Sequence, residues 1–215
     1  MLNLIVNNVS KQLKGKTILS NIYLNLKSGN IYGFVGENGS GKTMLFRAIS
    51  GLMDISEGEI LLNEKVLHKD MKVLPNLGIM IENAGLYPEL TGLDNLKLLA
   101  KLNRKIGEAE IREAIKKVGL DADDKRTFRK YSLGMKQRIV FAQAIMEKPD
   151  ILLLDEPTNA LDEKGVNSIR QIIYEEKQRG ALILIASHNK EDIQILSDEI
   201  YHVENGTVKK WEAVI

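Results

Sequence analysis

Ile31-Tyr32-Gly33-Phe34-Val35 runs straight into Gly36-Glu37-Asn38-Gly39-Ser40-Gly41-Lys42-Thr43, and the residues from Lys42 to Ser50 read as a helix that Gly51 stops. An apolar strand, a glycine-rich octad and a helix, in that order, are the parts of a phosphate cradle. The octad matches G-x-x-x-x-G-K-S/T, in which glycines let backbone N–H groups close around phosphate oxygens while the helix behind presents its positive end. On this reading Gly36, Glu37, Asn38, Gly39, Ser40 and Gly41 wrap the phosphates, and Lys42 reaches the β and γ phosphates. Thr43 offers its hydroxyl oxygen to Mg²⁺, a hard cation that prefers oxygen ligands.

Outward from that stretch, short apolar runs alternate with helix-period segments, which predicts an α/β fold with a mainly parallel sheet. The run 151–154 lacks polar alternation, as a strand covered on both faces does, and Asp155 ends it. Val166, Ile169, Ile172 and Ile173 recur at helical spacing, and 181–186 is a second buried strand, ending at Ser187-His188. Parallel sheets collect ligand-handling groups at the carboxyl ends of strands, where Asp155 and His188 fall. Segments 93–102, 111–118 and 133–146 look helical with no comparable strand between them, so about 84–148 reads as a helical insertion in a single domain spanning 1–215. The first thirty residues and 59–81 carry short alternating segments that predict a flanking antiparallel sheet, and Glu204-Asn205-Gly206 predicts a hairpin turn.

The bulk properties fit one such domain. Of 215 residues 44% are hydrophobic, and 30 Lys and Arg against 29 Asp and Glu leave a formal charge of +1, which supplies no global footprint for nucleic acid. There is no cysteine, which excludes disulfides and thiolate chemistry. The start of the chain lacks the pattern of a secretory signal, and the longest apolar run, 181–186, is far short of the ~18 residues that span a bilayer. Work at a membrane therefore requires another chain to supply the spanning part.

Asp155 and Glu156 form the second chemical element. Adjacent strand residues point to opposite sides, so the two carboxylates are expected to separate their tasks: Asp155 toward Mg²⁺, through water, and Glu156 toward the attacking water as general base. A third element is Tyr131-Ser132-Leu133-Gly134-Met135-Lys136-Gln137-Arg138, which enters an apolar-faced helix with Ser132 as N-cap and Gly134 permitting close backbone approach. Alone it is a capped helix. Beside a phosphate loop it reads as a second anion site, able to complete the nucleotide shell of a partner subunit.

Together these residues resemble the nucleotide-binding subunits of ATP-binding cassette (ABC) transporters over essentially the whole chain and in the family's order. Gly36 to Thr43 resembles Walker A, the 151–156 segment Walker B, Ser132 to Lys136 the family signature, Asn159-Ala160-Leu161-Asp162 the D-loop, and His188 the switch histidine that senses the γ-phosphate. The resemblance implies a P-loop NTPase core that binds ATP with Mg²⁺ and hydrolyses it with Glu156, His188 and Lys42. It also implies a head-to-tail homodimer in which Ser132, Gly134 and Asp162 act in trans. The implied partner is an integral-membrane permease, which puts the chain at the cytoplasmic face of the cell membrane. Three positions depart from the pattern. Leu133 stands for the signature's first glycine, with Met135 and Lys136 departing after it. Glu82 stands where the family has glutamine, as a Mg²⁺ or water ligand or as a tolerated exposed residue; the same change resembles subunits that export bacitracin and lantibiotic peptides. Leu13 stands where the family stacks an aromatic on adenine. The end at Ile215, without a further regulatory domain, leans toward export.

Three rivals share parts of this pattern. Asn189-Lys190-Glu191-Asp192 spells the N-K-x-D with which GTPases read guanine, but Asp155-Glu156-Pro157-Thr158 lacks the glycine of their D-x-x-G. An ABC-type ATPase acting on DNA or ribosomes is expected to carry coiled coils or a second cassette. A P-loop kinase would need an acceptor other than the water that Glu156 suits.

Overall fold

The structure, a computed structural model, describes residues 2–81 and 85–211. Its centre is a six-stranded sheet in the order β10-β9-β3-β8-β7-β6, built from β3 (Ile31–Val35), β6 (Leu77–Met80), β7 (Ile151–Asp155), β8 (Leu182–Ser187), β9 (Glu199–Glu204) and β10 (Thr207–Lys210). β9, β3, β8, β7 and β6 are mutually parallel and β10 closes back on β9 antiparallel through Asn205 and Gly206, both at positive φ. A second, antiparallel sheet of order β2-β1-β4-β5 is formed by β1 (Asn3–Leu13), β2 (Lys16–Lys27), β4 (Glu57–Leu62) and β5 (Lys65–Val66).

The unbroken apolar runs are explained by burial on both faces of the parallel sheet. Ile31, Val35, Leu152, Leu154, Ile183 and Ile185 join one cluster, with α2 (Gly92–Asn103), α3 (Glu108–Lys117), α4 (Leu133–Ile145) and α5 (Glu163–Gln178). Their neighbours Phe34, Leu153, Leu182 and Leu184 turn to the other face, toward α1 (Lys42–Ser50) and the antiparallel sheet. There Phe34 meets Phe46 edge-on with ring centroids 5.6 Å apart.

One expectation is corrected. The stretch 59–81 is not wholly part of the antiparallel flank: β4 and β5 are, but β6 pairs with β7 in the parallel sheet, Leu77 opposite Ile151. Four residues with glycine among them carry too little period to announce their sheet. The partner that claims them lies more than seventy positions away, so the assignment is a long-range one.

Candidate active site

The carboxyl ends of β3, β7 and β8 converge on a cavity of about 850 Å³, within the range that holds a small-molecule ligand. It is bordered by Asn38 to Met44, by Asp155, Glu156 and Asn159, and by His188. α1 starts from Gly41 at φ 112 and has no side-chain cap, whereas Thr91, Ser132, Asp162 and Asn189 cap α2, α4, α5 and α6 (Lys190–Leu196). The first-turn N–H groups of α1 are thus left to an anionic ligand, and only glycine adopts the φ that turns the chain there without cost. Lys42 is buried, with its ammonium donating to the carbonyls of Gly36 at 2.7 Å and Glu37 at 3.0 Å. That ammonium has a third N–H and stands at the cavity wall.

Thr43 Oγ1 donates to Asp155 Oδ2 at 2.5 Å, which joins the first helical turn to the end of β7. Two hard oxygen donors side by side on the cavity suit Mg²⁺, which accepts a few protein ligands and completes its shell with phosphate and water. Among the described residues there is no cluster of three or more His, Cys, Asp or Glu that could hold a metal ion. Glu82 lies outside the described residues.

Glu156 departs from expectation in how it is aimed. Strand alternation does not separate it from Asp155, because β7 ends at Asp155 and Glu156 adopts left-handed backbone, φ 51, with its N–H donating to Ala186 O at 2.8 Å. That turn carries both carboxylates to one cavity. Ser187 Oγ donates to Glu156 Oε2 and the His188 N–H to Oε1, each at 2.9 Å, and His188 Nδ1 lies 2.9 Å from Oε1. A carboxylate only accepts, so His188 Nδ1 carries the proton in this arrangement. Glu156 and His188 form one hydrogen-bonded pair.

Other anticipated residues stand apart. Leu13 ends β1, is 47% exposed and does not border the cavity; Thr17 and Ile18, just beyond the hairpin, do. No local motif marks them, since the bulged pairing of β1 and β2 decides which residues face the site. Ser132 and Gly134 begin α4 away from the cavity, with Leu133 between them 68% exposed, and Ser132 Oγ caps the helix by accepting from Met135 N. Tyr131, just before them, is buried, and burial pushes its phenol above the usual range. Asp162 caps α5 and pairs with Arg138 of the same chain at 3.2 Å.

The N-K-x-D stretch does not read a base. Asn189 Oδ1 caps α6, and the Asp192 carboxylate is buried, accepting from Thr158 Oγ1 at 2.5 Å and from the Arg170 guanidinium. Gln137 was also overlooked as a site residue: it borders the cavity, and its Nε2 donates to Glu156 O at 2.7 Å. It lies one turn into the quoted signature helix, i+3 from Gly134, which is the signal that could have found it.

The family profile described as ABC transporter matches residues 19–159, which takes in the phosphate loop, the signature helix and β7. The chain belongs to the ABC transporter family. The cassette is 48% identical to an uncharacterized ABC transporter ATP-binding protein, YybJ of Bacillus subtilis (strain 168), over 98% of this chain and 96% of that protein. It is 34% identical to the lantibiotic transport ATP-binding protein SrtF of Streptococcus pyogenes over 94% of this chain and 87% of that one. Its fold matches the dimeric, post-hydrolysis structure of the ATP-binding cassette MJ0796 bound to ADP and Pi, with a TM-score of 0.86 at 24% identity over 99% of this chain and 98% of that one. The cassette is an ATP-binding, ATP-hydrolysing subunit of that family, which sets aside the GTPase, kinase and non-transport readings.

Proposed function

We propose that this cassette drives export of an antimicrobial peptide through a separate membrane permease, by dimerising on ATP and reopening after hydrolysis. The observation that carries the catalytic part is the Glu156 carboxylate held by Ser187 and His188 on the same cavity as Lys42 and Thr43. Oε2 accepts from Ser187 Oγ and has further acceptor capacity with which to align and deprotonate a water. Lys42 and the first turn of α1 offset charge on the β and γ phosphates, as phosphoryl transfer requires. Thr43 and Asp155 would hold Mg²⁺, which when bound neutralises phosphate charge. Asp155→Asn is expected to weaken ATP binding in the presence of Mg²⁺ and to leave binding in EDTA unchanged. Calorimetry with and without the chelator checks this, and equal loss in both would remove Asp155 from the metal's shell.

The trans role of Ser132, Gly134 and Asp162 rests on the start of α4 lying away from its own cavity, with Leu133 beside Ser132 and Gly134 exposed. A domain over 1–215 whose helices α2 to α4 form a subdomain, about 84–148, gives the permease a surface distinct from the nucleotide. Among the described residues no helix is long and apolar enough to cross a membrane; a separate permease would place the subunit peripherally on the cytoplasmic face. Moving a dimer from mostly open to mostly closed takes about 5.5 kcal/mol of differential binding, attainable when two subunits share each ATP. SrtF's name supplies the cargo class, and Glu82, a carboxylate where the family resemblance places a glutamine, fits it. Co-purification from membranes with an integral-membrane partner, and protection of cells from a lantibiotic, test this role; recovery with nucleic acid instead would refute it.

Leu13 is the adenine-side candidate. Base stacking on an aromatic contributes about 1 to 3 kcal/mol, which an aliphatic side chain does not reproduce. Leu13→Tyr is therefore expected to tighten ATP binding about fivefold or more. Unchanged affinity by calorimetry would transfer the adenine wall to Thr17 and Ile18, which border the cavity directly.

A further inference from the structure

α4 opens on the residues proposed to meet the partner's nucleotide, yet one face of it lies against its own subunit's catalytic loop. Gly134, Gln137 and Arg138 stand at i, i+3 and i+4 and share that face. Gln137 Nε2 donates to Glu156 O at 2.7 Å, and Arg138 Nη2 donates to Asp162 Oδ1 at 3.2 Å. Gly134 passes so close to Ala160 O that a Cβ would stand 3.0 Å from it. These three contacts span the whole loop from the general base to the start of α5. Glu156 and Ala160 hold left-handed backbone, φ 51 and φ 62, a conformation that persists in such residues where surrounding contacts impose it.

The geometry points to Gln137 as a positioning residue that couples the two ATP sites: it passes engagement of the α4 N-terminus by the partner to the backbone of Glu156 in its own site. The inference rests on the dimer proposed above. Within that dimer the steps are mechanical. α4 is a single helix of 13 residues, so a contact at Ser132 displaces it as a body, and Gln137 lies about one turn in. The Glu156 carbonyl has two lone pairs; one takes the Asn159 N–H of the local turn at 3.2 Å and the other takes Gln137. Moving the Gln137 amide therefore re-aims the Glu156 peptide, and with it the carboxylate that must align water. Each base is set when the opposite nucleotide is engaged, which yields cooperative hydrolysis.

Gln137→Ala and Gln137→Glu, the latter nearly isosteric but unable to donate when ionised, test this in the full chain. Both are expected to lose about 10- to 100-fold in kcat, as misplacement of a reacting group does, with KM and ATP affinity unchanged and with the Hill coefficient for ATP falling to one. Gln137→Ala in a Glu156→Gln background is expected to accumulate the ATP-bound dimer as Glu156→Gln alone does. Wild-type kcat and Hill coefficient in either variant overturn the inference. So does a loss of ATP affinity as large as the loss of kcat, which would make Gln137 a wall of the binding site. If Glu156→Gln itself forms no ATP dimer, the dimer reading fails; if it does and the Gln137 variants remain cooperative, the inference alone fails.

Discussion

Glu156→Gln is expected to bind ATP, to lose turnover by about 10² to 10⁴-fold, the usual contribution of a general base, and to accumulate as a dimer in ATP. The amide keeps the shape of the carboxylate, and its carbonyl oxygen can still accept from the His188 N–H or from Ser187 Oγ, 2.9 Å away in the parent. The site therefore stays assembled while the proton acceptor is gone. Size exclusion with ATP and with ADP, together with phosphate release, checks both halves of the result. A variant that remains monomeric in ATP and still turns over would sink the dimer mechanism and move the base elsewhere. The fold makes that alternative specific, because Asp155, the other carboxylate at the cavity, is engaged with Thr43.

Asp192→Ala is expected to destabilise the cassette by roughly 3 kcal/mol, the lower end for breaking a buried ion pair. It leaves the Arg170 guanidinium and the buried Thr158 hydroxyl without their common acceptor. The lower end applies because the Arg170 side chain is 19% exposed and can recover some water. For a chain of this size that corresponds to a fall in Tm of about 6 to 12 °C, readable by calorimetry. Turnover should fall too, since Thr158 follows the general base and α6 follows His188, so one carboxylate ties both catalytic loops to α5. The ratio of ATP to GTP hydrolysis is expected not to move; a swing in nucleotide preference would restore a base-reading role to Asn189 and Asp192. An unchanged Tm would show that the network contributes no net stability.

Most of the site was legible because its elements are local. A strand, a glycine octad and a helix are contiguous from Ile31 to Ser50, and each announces itself through residues a few positions apart: Gly41 for the turn, Gly51 for the stop, Lys42 and Thr43 for the phosphate side. Asp155 and His188 were legible as strand ends, because apolar runs covered on both faces are unmistakable in composition. What remained hidden depends on pairing between distant segments. Glu156 is aimed by a hydrogen bond to Ala186, thirty residues on, which overrides the alternation that a continuing strand would impose. β6 reads as part of the flanking antiparallel sheet until β7 claims it. The missing D-x-x-G glycine already argued against a guanine motif at Asn189 to Asp192, but that Arg170 and Thr158 occupy the Asp192 carboxylate is a matter of distant contacts.

The sequence by itself determined that this protein is an α/β cassette of the ABC family, and it singled out Lys42, Thr43, Asp155, Glu156 and His188 as the candidates for its chemistry. Those are properties of residue type and short spacing, and propensity and period encode them directly. Only the tertiary structure decided that the two carboxylates share one cavity, that His188 and Ser187 hold Glu156, and that Gln137 grips its backbone from α4. Those facts depend on which atoms meet across 19 to 32 residues of separation, where hydrogen-bond geometry rather than local preference selects the conformation.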